Sequence, residues 1–210
     1  MNRTFYLAAA GLAALSVAAC SKPAADTTAA TGSTAAGEAV QAANQPVNAA
    51  QDATGAAVGA VSASTLGSHD TGAFVSNASQ GDIYEIAAAK IAQTRSKNAE
   101  VKAFAKMMAT EHTAMMNQMA PLVKAAGKEP AKELDQRRNG FIDNLKQATD
   151  ANFDKTYIDQ QVAAHEEALT LVKGYADAGE DAGLKAGAAK AVPKVQMHLD
   201  KVKAIQASMK

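Results

Sequence analysis

The sequence predicts an all-α fold, a four-helix bundle with one long crossover, and three observations carry that prediction. Ala is abundant, Trp is absent and aromatic residues make up only 4%. Ala costs least in a helix interior, whereas a sandwich or barrel needs β-branched and aromatic runs. From Phe74 onward apolar residues recur at alternating three- and four-residue steps, the spacing of a buried helix stripe. Breakers fall between the runs, at Gly127 and Pro130 and again at Gly179.

Residues 1–19 read as a lipoprotein signal peptide. Arg3 supplies a positive start, and Phe5 to Ala19 is an apolar run too short for a stable membrane span. The run ends Leu15-Ser16-Val17-Ala18-Ala19-Cys20, which resembles the lipobox of bacterial lipoproteins. That resemblance implies cleavage before Cys20 and acylation of its thiol, so the expected location is the cell envelope with a lipid anchor in a membrane. Ser21 follows, and in Gram-negative lipoproteins a residue other than Asp there resembles an outer-membrane sorting signal. Cys20 is the sole cysteine, so no disulfide framework is available. Residues 20–72 hold Ala, Thr, Ser, Gly and Gln with a single Leu, Leu66. Such a segment buries too little apolar surface to offset its ordering entropy. It is expected to be a flexible tether, transiently helical near Val40 to Val61, and roughly 40 Å from end to end.

The bundle domain is expected over residues 73–210. Its first run covers Phe74 to about Arg95 and its second about Asn98 to Ala126. A shorter third run covers about Ala131 to Ala148. The fourth covers about Asn152 to Ala178 and the fifth about Asp181 to Met209, with Pro193 expected to kink the last or start it anew. Short links make the first two runs, and the last two, antiparallel neighbours. The third run is long enough to return the chain to the other end, so the second and fourth run parallel. That connectivity is the ferritin-like arrangement.

Each long stripe carries a polar residue where an apolar one is expected: Glu85, His112, His165 and His198. Counted from the interhelix turns near 97 and 180, the four fall within about one helical turn of a common height, roughly 5 Å. A carboxylate and three imidazoles suit zinc, iron or copper. The di-iron Glu-x-x-His signature is absent, since Ala109 and Val195 stand three residues before His112 and His198. A mononuclear site fits better, with Met108, on the face of His112, as an additional ligand that would favour copper(I). The same residues fit a second reading, a metal-free network of buried polar groups bonded to one another. Met107, Met108, Met115, Met116 and Met119 also read as flexible core filling. Glu111, Glu166 and Glu167 neighbour histidines but point about 100° away.

Phe74-Val75 with Gly81 and Glu85, and Val101-Lys102-Ala103-Phe104-Ala105 leading to Glu111-His112, resemble the domain-of-unknown-function family numbered 4142. So do Phe153 to Tyr157 with His165-Glu166, and Val192-Pro193 leading to His198-Leu199. The resemblance implies a ferritin-like bundle on exported bacterial proteins, often lipoproteins, and no assigned activity. Balanced charge, 21 basic against 21 acidic residues, argues against a nucleic-acid partner. No Ser-His-Asp or Cys-His nucleophile motif is present. The function expected is a metal-binding periplasmic lipoprotein, with a non-enzymatic structural or interaction protein of the envelope as the alternative.

Overall fold

The computed structural model describes residues 35–209; Cys20 and the signal peptide lie outside the described residues. The described chain forms six α-helices and, among the described residues, no strand. They are α1 (Ala35–Ser64), α2 (Thr71–Arg95), α3 (Ala99–Ala125), α4 (Gln136–Gln147), α5 (Phe153–Ala178) and α6 (Ala182–Ser208), with a 3-10 turn at Leu66–Ser68 between α1 and α2.

Local signals set the helix ends. Asp70, Asn98, Asp135 and Asp181 each accept a hydrogen bond from a backbone N–H in the first turn that follows, so α2, α3, α4 and α6 begin on capping side chains. Gly127, at φ 67°, stops α3, and the N–H of Lys128 returns to the carbonyl of Val123.

The four bundle helices pack as the sequence predicts, with α2 against α3, α5 against α6, and the two pairs face to face. Leu122 and Met119, late in α3, meet Gly187, early in α6. Arg95, at the end of α2, donates to the carbonyls of Leu145 and Ala148, just before α5 begins. Helices α3 and α5, the second and fourth of the predicted runs, therefore run parallel, joined by a crossover. The crossover helix α4 is shorter than the expected run, because residues 128–135 are largely non-helical. Ser79 Oγ and Gln80 Oε1 accept the N–H groups of Ala131 and Asp135 and pin that segment to α2. Pro193 does not divide α6, which continues through it with Val195, His198 and Leu199 buried beyond. Tertiary packing on both sides of the proline sustains the helix.

The larger correction concerns residues 35–64. Expected to be part of a flexible tether, they form α1, which lies against α4 and α5. Large apolar side chains are not what docks it. Asp52 accepts from Asn144 Nδ2 and Gln160 Nε2, both at 2.7 Å. Asn144 also donates to the carbonyl of Asn48, and Arg137 to that of Gly55. A Cβ on Gly59 would overlap the Glu167 carboxylate and the Arg137 guanidinium, so glycine suits this close approach. Polar anchors and close backbone contact replace the apolar burial that the sequence lacks.

The bundle interior has two apolar halves. Tyr84, Phe104, Leu145, Tyr157 and Val202 belong to one, and Phe74, Leu171, Tyr175 and Leu184 to the other. On α3, α5 and α6 the residues lying between the two sets include His112, His165 and His198.

Candidate metal centre

The three histidines converge. One ring nitrogen from each of His112, His165 and His198 lies within 4.8 Å of the others. Ring centroids stand 5.4 to 5.7 Å apart. All three side chains are buried.

Each ring is held from outside the cluster by one nitrogen. His112 Nδ1–H donates to Asp82 Oδ1 at 2.8 Å. His165 Nδ1–H donates to the carbonyl of Gln161, one turn back on its own helix, at 2.8 Å. His198 Nε2–H donates to Glu111 Oε2 at 3.0 Å. The opposite nitrogens, His112 Nε2, His165 Nε2 and His198 Nδ1, are buried and have no hydrogen-bond partner. In the neutral form of each ring the bonded nitrogen carries the proton, which leaves a lone pair on the orphaned one. An acceptor behind each imidazole is how proteins fix the tautomer and orientation of a metal ligand.

Burial and neighbouring charge set the protonation states. Burial pushes His165 down to about 3, with the nearby His112 adding to the effect. His198 is also lowered by burial, partly offset by Glu111. Burial opposes a charge on His112, but Asp82 and Glu85 together outweigh it and raise this group. Burial drives Glu85 up to about 7.

Glu85 is not among the atoms that converge. Its Oε1 lies 3.7 Å from His165 Nδ1, the outer side of that ring, and its Oε2 is buried without a partner. The reason is height. Asp82, not Glu85, is level with His112 across the turn near residue 97, and Glu85 sits about one turn closer to that turn. Met108 is fully buried in the apolar half that holds Phe104 and Tyr157. Met115, one turn beyond His112, instead lines the small pocket beside the cluster.

Asp82 was missed by sequence reasoning because it lies off the apolar stripe, although its three-residue spacing to Glu85 puts both on one helix face. Arg137 and Arg138 were missed as well. Both pair with Glu167 at 2.8 Å, and Arg138 also pairs with Asp135. Glu111 bonds His198, Glu167 is buried among the arginines, and Glu166 pairs with Lys203 on the surface. The pocket beside the cluster holds about 70 Å³ and is lined by His112, His165, Asp82 and Glu85, the two arginines, and mostly apolar groups.

The pattern of one protein family, described as "Domain of unknown function (DUF4142)", matches residues 56–205, from within α1 to near the end of α6. No curated protein and no solved structure matches the chain.

Proposed function

Because the chain belongs to the DUF4142 family, a domain of unknown function, its chemistry has to come from the site, and we propose that the bundle binds one transition-metal ion through His112, His165 and His198. The observation that carries this reading is the set of three orphaned nitrogens, each on a ring whose other nitrogen is already held. A metal-free network would instead bond these groups to one another. Burying three unsatisfied acceptors and the Glu85 oxygen is costly, at about 1–3 kcal/mol each, and a cation removes the cost for the imidazoles.

Three neutral imidazoles suit zinc, iron or copper. Asp82, Glu85 and Glu111 supply negative charge around a dication, and Glu85 remains the acidic candidate for a further ligand. A metal held by the three imidazoles would supply Lewis acidity to whatever reaches it. The chain's own part is to hold the three rings, exclude bulk water and keep His165 unprotonated. We infer buffering or sensing of the ion as the role of this site. We further propose that acylated Cys20 anchors the chain to the outer membrane, with the bundle in the periplasm.

The test is metal analysis and calorimetry on chain purified without a His-tag. About one equivalent of zinc, copper or iron is expected to bind the wild type, and none the double variant His112→Gln/His165→Gln. A folded wild-type chain that holds no ion and shows no thermal shift with any of the three metals overturns the reading. For the anchor, Cys20→Ser is expected to abolish incorporation of labelled palmitate; unchanged labelling overturns that part.

A further inference from the structure

The three imidazoles are buried, so an ion must cross a layer of protein to reach them. Two acidic side chains link them to the surface, Asp82 behind His112 and Glu111 behind His198. Their surroundings differ. Asp82 lies on the wall of the small pocket, with Phe74, Met115, Met119 and Leu171 and with Arg137 and Arg138 set against Glu167. A hydrated dication entering there sheds water against apolar walls and approaches two guanidiniums.

Glu111 offers a polar path. Its side chain is 25% exposed, against 13% for Asp82, and it directly precedes His112 in the chain. Its Oε2 accepts from His198 Nε2 at 3.0 Å and from Lys194 Nζ at 2.8 Å, and Lys194 is 38% exposed. This partly exposed carboxylate therefore joins one ligand ring to a lysine that occupies the place an arriving cation would take. Among the three groups that hold the rings, this is the one paired with a lysine.

Building on the metal reading, we propose that cations enter the cluster over Glu111 and that Lys194 is the latch on this entrance. Half-exposed ion pairs are weak and break readily, so the latch opens without unfolding. The lysine repels an approaching dication and competes for Glu111. When the lysine swings away, the carboxylate takes the ion and passes it inward to His198.

The experiment is stopped-flow mixing of chelator-stripped full chain with Co(II), following the cobalt absorption bands. Lys194→Gln is expected to raise the association rate about fivefold at low ionic strength, with the gain shrinking in high salt. Lys194→Arg, which keeps the ion pair, is expected to retain the wild-type rate, and Glu111→Gln to bind more slowly than Asp82→Asn. Stoichiometric uptake at an unchanged rate in Lys194→Gln overturns the route and leaves the metal site standing. So does a rate that falls in Asp82→Asn but not in Glu111→Gln. No Co(II) uptake by the wild type overturns the site and the route together.

Discussion

At the scale of single residues, the cluster depends on groups that do not belong to it. Asp82 fixes one nitrogen of His112 from a neighbouring helix. Losing such an outer partner typically weakens metal binding 10- to 100-fold, so Asp82→Asn is expected to do so with the helical circular dichroism intact. Titration calorimetry checks this. Glu85 gives a pH signature in metal-free protein. Its folded value of about 7 lies above its ordinary 4.5 because of burial. The native state therefore binds the proton more tightly than the unfolded state does. The resulting stability is present in full below 4.5 and is lost as pH rises through about 7, a loss on the order of 3 kcal/mol. His165 runs the other way, being lowered by burial, so its contribution is lost as pH falls below its ordinary 6.5. Denaturant unfolding of Glu85→Gln beside the wild type isolates the first effect. The wild type should lose stability relative to the variant between pH 4.5 and 7, and parallel curves would rule this out. Periodicity alone exposed the three histidines, because a polar residue in an apolar stripe stands out. It could not expose Asp82, which sits where polar residues are ordinary.

At the scale of elements, the four long helices were legible because stripe spacing, capping residues and breakers agree. Asn98 and Gly127 each mark an end through backbone chemistry that is local in sequence. Helix α1 was not legible, because its stability comes from partners far along the chain. Asp52 gains Asn144 and Gln160, and Gly59 gains the face of the Arg137–Glu167 pair, none of which local composition reveals. Gly59→Ala tests that account. Its added Cβ overlaps a carboxylate already fixed by two arginines, and overpacking of this kind costs about 1–3 kcal/mol. Hydrogen exchange is expected to speed up along α1, while metal affinity at the histidines stays the same. Slow exchange retained throughout α1 would refute this docking mode.

At the scale of the whole molecule, the polar layer between the two apolar halves is expected to set how strongly they are coupled. Without metal, each half has its own hydrophobic contacts, and the layer between them contains orphaned nitrogens. Binding an ion to the native state alone stabilises it by about 2.7 kcal/mol at a hundredfold excess over Kd. Because the proposed ligands come from three helices, the gain should reach both halves. Hydrogen exchange with and without zinc is expected to show protection rising in α2, α3, α5 and α6 together. Protection confined to one half would mean that the layer does not join them. The docking of α1 has a separate consequence, a mechanical one. Its anchors lie in a row, from Asn48 and Asp52 through Gly55 to Ser62, which accepts from Asn77. A pull on its first turn, directed away from the bundle, is expected to load these bonds one after another rather than together, so that α1 peels away first. The segment that reads as slack in the sequence is thus expected to act as a fuse, yielding before the centre of the bundle.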